Sequence, residues 1–248
     1  LMRKKSNFIT TPKSSPKKNK KHFITVVLLS ENHGYRMKSK GAIPLVDING
    51  TTLLDRQINA IKAVFQNFEI ILCCGYDSGA VFQHVKEKYK ALNIRIVENQ
   101  VYENSNCCES ARLAINNTLN NKIILCSGSV LLLAEHLRAI DLDQSSILIQ
   151  PASKKLEDFN IGVVSQDEKV KNMSLGVKEK KWLELCYLSV KHDVKAFHSI
   201  VDSIEFKNKF LFEAINEFIK SKSLTTTEVE KIKSYKIHSI KSLKKVDI

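Results

Sequence analysis

The sequence predicts an α/β protein: a mostly parallel, doubly wound sheet with helices on both faces and a small β-containing C-terminal part. Three observations predict it. Continuous runs of apolar and β-branched residues recur at Phe23–Leu29, Glu69–Cys74 and Lys122–Cys126, as expected of central strands covered on both faces. Between them lie segments whose apolar residues repeat at helical spacing. The connections are short and carry Gly, Ser and Asn, which suits repeated βα units.

In chain order, Phe23–Leu29 is the first strand and Ser30–Gly50 a glycine-containing loop. Thr51 or Thr52 can cap a helix that places Leu54, Ile58, Ile61 and Phe65 on one face. Glu69–Cys74 is a buried strand ended by Gly75, and Ser78–Tyr89 is helical with Val81, Phe82 and Val85 inward. Ile94–Val97 is a third strand. Ser105 or Asn106 opens a helix containing Ala111, Ala114, Ile115 and Leu119. Lys122–Cys126 leads into the turn Ser127-Gly128-Ser129, and Ser146–Gln150 is a fifth strand. Ile161–Val164, Val170–Ser174 and Trp182–Val190 read as strands, and Phe210–Ile219 as an amphipathic helix. Tyr235–Ile240 reads as a last strand followed by a short helix. In such sheets ligands bind beyond the carboxyl ends of the strands, which puts Ser30–Gly50, Gly75-Tyr76, Asn99–Ser110 and Ser127–Val130 around one crevice.

Charge divides the chain unevenly. Residues 1–22 carry Arg3, Lys4, Lys5, Lys13, Lys17, Lys18, Lys20 and Lys21 with no acid, so this stretch supplies 8 of the 13 net charges and leaves the remainder at +5. It has too few apolar groups to fold and is expected to be a disordered basic tail, with residues 23–248 as the domain. The tail suits contact with nucleic acid or an acidic partner, or simple solubilisation. No apolar run approaches the length of a membrane span, and the N-terminus has no apolar leader core, so a cytoplasmic protein is expected. Six cysteines, in the adjacent pairs Cys73-Cys74 and Cys107-Cys108 plus Cys126 and Cys186, lack zinc-ligand spacing and read as thiols of a reducing compartment.

The loops carry a resemblance. LSENHGYRM, from Leu29 to Met37, resembles the signature LAAGxGxRM of the sugar-phosphate nucleotidyltransferases. Pro44-Leu45, Asn49-Gly50 and Leu53-Leu54 are similar to that family's following stretch, and Gly75-Tyr76 to its Gly-Tyr after the second strand. Asn99, Tyr102, Ser105, Asn106, Ser110 and Ala114 resemble the pattern of its choline-phosphate cytidylyltransferase branch. The resemblance implies a Rossmann-like, GT-A-type fold and Mg²⁺-dependent transfer of a nucleotidyl group to a phosphate. It also implies Arg36 as a catalytic cation, and Ser30, Asn32, Gly34, Gly75, Asn106 and Ser110 around a nucleoside triphosphate.

Much of the implied machinery is altered. Asn32 stands for the first loop glycine and Glu31 for the alanine before it. Counting back from Gly50, the family's lysine falls on Ile43, leaving Lys38 or Lys40 as substitutes. The metal-holding acids are replaced by Ser129 after the fourth strand, and by His238 and Ser242 near the C-terminus. A hydroxyl and an imidazole suit Mg²⁺ poorly. Two readings follow: a catalytically impaired protein kept for ligand binding or structure, or an active, Mg²⁺-dependent transferase rebuilt around Lys38 or Lys40 and acids such as Asp141 or Asp143. Trp182 reads as core rather than as a ligand wall, and His84, His136, His192 and His198 receive no role.

Overall fold

A computed structural model describes residues 23–32, 37–151, 160–229 and 232–246. The strands are β1 (Ile24–Ser30), β2 (Asp47–Ile48), β3 (Thr51–Thr52), β4 (Phe68–Cys74), β5 (Ile94–Glu98), β6 (Ile123–Ser127), β7 (Ser146–Pro151), β8 (Ile161–Gln166), β9 (Lys169–Leu175), β10 (Lys180–Leu188) and β11 (Thr225–Glu228). The helices are α1 (Leu53–Val64), α2 (Ser78–Lys88), α3 (Cys107–Asn116), α4 (Ala134–Arg138), α5 (Lys191–Val201), α6 (Leu211–Phe218) and α7 (Ile240–Leu243). None of the helices among these residues is long and apolar enough to cross a membrane.

Apart from the small β2–β3 pair, the strands form one sheet in the order β5-β4-β1-β6-β10-β7-β11-β9-β8. Its first part is parallel, with β1 between β4 and β6 and β5 outside β4. Alternation along β1 feeds two cores. Val27 and Leu29 face α3, α5 and α6, while Ile24, Val26 and Leu28 face α1, α2 and α4. The sheet is thus wound on both sides, and each fully buried aliphatic side chain contributes about 1.5–3 kcal/mol relative to exposure.

The second part is mixed rather than parallel. β10 enters antiparallel between β6 and β7, β8 and β9 are antiparallel, and β11 returns parallel to β7. For β8 and β9 the cause is local: Asp167 and Glu168, both at positive φ (50° and 59°), form a two-residue turn that can only join antiparallel neighbours. Asn49-Gly50, at φ 51° and 79°, closes the β2–β3 pair in the same way, with the Gly50 N–H donating to Asp47 Oδ1 at 3.1 Å.

Other expectations change too. Phe82 is 53% exposed, because α2 buries only Val81 and Val85, and Leu119 lies beyond the end of α3 in full exposure. Tyr235–Ile240 is not a strand; its one ladder contact is an antiparallel bridge from Lys236 to Val130. The strand near the end is instead β11, whose three threonines gave no apolar signal.

Candidate functional site

The C-terminal end of β1 opens onto a cavity of about 350 Å³. Its floor is Leu29, Ser30, Glu31 and Asn32. One wall is the β6 turn with Ser127 and Ser129, and another is the start of α3 with Asn106 and Cys107. The β-rich second part supplies Ile161, Leu175, Trp182 and Glu184, the start of α6 supplies Phe210–Phe212, and Lys236–His238 closes the far side with Ile43.

Glycine allows this close assembly at two points. A Cβ on Gly128 would fall 1.7 Å from Ser30 Oγ and 2.8 Å from the Leu29 carbonyl, and the Gly128 N–H donates to that carbonyl at 2.7 Å. A Cβ on Gly75 would fall 2.6 Å from both the Glu31 carbonyl and the Tyr102 ring. From α1, buried Gln57 donates to the carbonyls of Gly128 (3.1 Å) and Val130 (2.7 Å) and so fixes the β6 turn.

Behind the floor, the residues of the Asn99–Ser110 pattern bond to one another. Asn99 donates to Ser105 Oγ and Ser110 Oγ, each at 3.0 Å, and accepts from the Val101 N–H. Asn106 caps α3, accepting from the Cys107 N–H at 2.8 Å, and also faces the cavity. Burial drives the Glu31 carboxyl above the usual range, only partly offset by its backbone N–H and the Ser110 hydroxyl. Asn32 donates to Glu31 Oε1 at 3.2 Å, while Oε2 and the Ser30 hydroxyl have no hydrogen-bond partner among the described residues. Burial, with the Glu31 charge nearby, also holds the Cys107 thiol protonated far above its ordinary range.

Across the cavity, Glu184 sits at φ 56° in an irregular stretch of β10 between Trp182 and Cys186, and it pairs with Lys236. The Trp182 indole donates to the Leu185 carbonyl at 3.1 Å across the same stretch. The β6 turn and the C-terminal segment are joined by the Ile237 N–H, which donates to the Ser129 carbonyl at 2.7 Å. Ser129 Oγ is engaged with Ser127 Oγ (2.9 Å), and His238 Nδ1 approaches the Lys236 carbonyl at 3.3 Å. Ser242 turns inward to its own helix, completing the capping box with the N-cap Ser239 of α7 and accepting from the His238 N–H at 3.0 Å. Ile43 packs with Met37, Val46, Leu53, Leu131 and Ile237 in a third apolar cluster.

Of the residues anticipated from sequence, Ser30, Asn32 and Asn106 line the cavity. Ser110 and Gly75 support it from behind. Lys40 is exposed on a 3₁₀ turn and is not among the cavity's lining residues. Gly34, Arg36 and the Lys38 side chain lie outside the described residues. Asp141 and Asp143 are exposed in the turn before β7, at the sheet end opposite the cavity. Sequence reading missed Glu184 and Lys236; Trp182, read as core, is indeed buried in the core cluster and also borders the cavity. The one signal for this wall was an acid inside the otherwise apolar run WLELCYL. His84, left without a role, bonds Asp55 at 2.8 Å.

The donor set does not fit Mg²⁺. Ser129, His238 and Ser242 are bonded to protein partners, and among the described residues no three His, Cys, Asp or Glu side chains converge to hold a metal.

No protein-family model matches the sequence, and no curated protein matches it. Solved structures do. A CTP:phosphocholine cytidylyltransferase from Streptococcus pneumoniae is 18% identical with a TM-score of 0.71, over 90% of this chain and 96% of that one. An inositol-1-phosphate CTP transferase from T. maritima is 14% identical with a TM-score of 0.72, over 89% and 90%. A nucleoside-diphosphate-sugar pyrophosphorylase from Vibrio cholerae is 12% identical with a TM-score of 0.65, over 90% and 98%. The neighbours agree with the resemblance read from the loops: this chain has the nucleotidyltransferase fold.

Proposed function

We propose that residues 23–248 form a nucleotidyltransferase-like domain that binds a small molecule in the β1 cavity without efficient nucleotidyl transfer. The carrying observation is the join between Ser129 and Ile237, which brings together the two segments whose Ser129 and His238 line the cavity. These are the positions where the resemblance implies metal-holding acids, and neither side chain suits Mg²⁺. Ile43, where it implies a lysine, offers only methyl groups to the same cavity. Loss of one preorganised charge-stabilising donor costs about 10²–10³ in rate, and such losses do not add simply.

The second reading, a rebuilt Mg²⁺-dependent transferase, is favoured by one observation: Glu31, Glu184 and Lys236 bring two acids and an ammonium to the cavity. Pyrophosphate release separates the two. The protein is incubated with Mg²⁺, CTP or UTP, and phosphocholine or a sugar phosphate. The binding reading expects no release above background. Turnover that Arg36→Ala abolishes would overturn it in favour of the rebuilt enzyme.

Six unpaired cysteines support a reducing, cytoplasmic setting. The basic segment 1–22, outside the described residues, is proposed to engage nucleic acid or an acidic protein through charge.

A further inference from the structure

The floor of the cavity carries a buried carboxyl with one oxygen unpartnered among the described residues. Glu31 is buried at the mouth of β1, its Oε1 is held by Asn32, and its Oε2 accepts no hydrogen bond among the described residues. Ser30, beside it, has a hydroxyl that is likewise unpartnered among those residues. Buried carboxylate oxygens in folded proteins are almost always paired, so an orphan at the wall of a cavity marks the place of a missing donor. The rest of the wall is largely apolar: Leu29, Ile43, Trp182, Phe210, Leu211 and Ile237 surround it. A volume of about 350 Å³ is that of a small-molecule site.

Charge narrows the occupant. Two acids, Glu31 and Glu184, and a single ammonium, Lys236, are the charged groups among the described lining residues, and the ammonium is already taken by Glu184. A triphosphate seated on Ser30 would bring several negative charges against the unpartnered Glu31 Oε2, an acceptor that needs a donor and can give none to a phosphate oxygen. Resting on the binding reading above, we propose that the cavity takes a largely apolar small molecule that carries no negative charge and donates an N–H or O–H to Glu31 Oε2. Ser30 Oγ stands ready as a second polar contact. The molecule is thus selected by a donor, where a nucleotide would be selected by its phosphates.

The test uses three probes of one shape and different charge: 4-phenylbutanol, 4-phenylbutylamine and 4-phenylbutanoate, with Mg²⁺-CTP as the fourth. Binding is read by calorimetry and by the fluorescence of Trp182, the protein's only tryptophan and part of the wall. The full-length protein is expected to bind the alcohol and the amine about tenfold or more tightly than the carboxylate and CTP. Glu31→Gln, which keeps the shape and removes the charge, is expected to weaken the amine and bring the carboxylate within about threefold of the alcohol. The wild-type series stands as a test by itself if the variant fails to fold. Tighter or equal binding of the carboxylate or CTP overturns the proposal, as does an unchanged order in Glu31→Gln or the absence of binding by every probe. None of these outcomes depends on pyrophosphate release, so a failure of the donor rule remains distinct from a finding of turnover.

Discussion

The Ile237 N–H reaches the Ser129 carbonyl at 2.7 Å and, with the Leu131 N–H donating to the Tyr235 carbonyl at 2.9 Å, holds the C-terminal segment against the β6 turn. Because the two backbones are already joined, acids placed at 129 and 238 would stand on adjoining segments. The double variant Ser129→Asp/His238→Asp is therefore expected to be less stable than wild type in chelator, through like-charge repulsion. It should gain a Mg²⁺-dependent rise in melting temperature that wild type lacks. At Mg²⁺ a hundredfold above its dissociation constant the gain is about 2.7 kcal/mol. Thermal denaturation with and without Mg²⁺ measures it.

Glu31 gives the fold a pH signature. Its folded-state carboxyl lies above the ordinary range because of burial, so between the unfolded value and that raised value the native state binds more protons. Stability from this group is therefore lost as pH rises above the ordinary carboxylate range. Glu31→Gln is expected to flatten that loss and to be the more stable protein at pH 8 by about 1–3 kcal/mol, the cost of an unsatisfied buried group. Urea denaturation of both proteins at pH 5 and pH 8 tests it.

Asp55 works in the opposite direction. Burial raises its carboxyl, but hydrogen bonds from Lys88 (2.6 Å), Tyr89 (2.5 Å) and His84 (2.8 Å) outweigh burial and hold it well below the usual range. These bonds tie α1 to α2. Asp55→Ala is expected to cost about 1–3 kcal/mol at pH 7, discounted from a fully buried network because Lys88 and His84 reach solvent. The contribution is present above the ordinary carboxylate value and fades as pH falls below it. The difference between variant and wild type should accordingly shrink only in strong acid.

Gly75→Ala and Gly128→Ala should each destabilise the protein by about 1–3 kcal/mol through overpacking. Gly75 meets a backbone carbonyl and a ring, and Gly128 a carbonyl and a side chain, so neither clash can be relieved by a swinging side chain alone. Probe binding in the cavity should fall as well, since both methyl groups push on the Ser30–Glu31 floor. Thermal shift and the calorimetric series read the two effects.

Deleting residues 1–22 removes eight cations. Retention on heparin is expected to fall to lower salt. The salt dependence of any polyanion binding should flatten by about 0.7–0.9 for each phosphate that the tail had neutralised. Unchanged retention would move that interaction to the domain.

The sheet was legible because buried parallel strands are written as unbroken apolar runs, and β1, β4 and β6 each fit that rule. β11 was not, because its Thr-Thr-Thr-Glu sequence is ordered by the backbone of β7 and not by apolar burial. The loops announced the cavity through Ser30 and Asn32 in its floor and Asn106 in its wall. The opposite wall was hidden, since Glu184 and Lys236 are 52 residues apart and meet only when β10 crosses behind the C-terminal segment. Ser110 was read from sequence as a nucleotide contact; in the structure its hydroxyl accepts from Asn99 behind the cavity floor, a tie that no spacing in the sequence announces. Asp141 and Asp143 could be chosen as metal acids only while the direction of β7 was unknown.

The left-handed backbone at Glu184 has one more consequence, for the history of the chain. A side chain there carries a cost of about 1–2 kcal/mol that glycine would not. Random substitution under selection for stability alone would drift toward Gly or Asn at this position. A descendant that had ceased to use the cavity is expected to have made that change, while one that still fills it keeps the acid. The residue at 184 can therefore be read, across relatives, as a record of whether the cavity has remained in service.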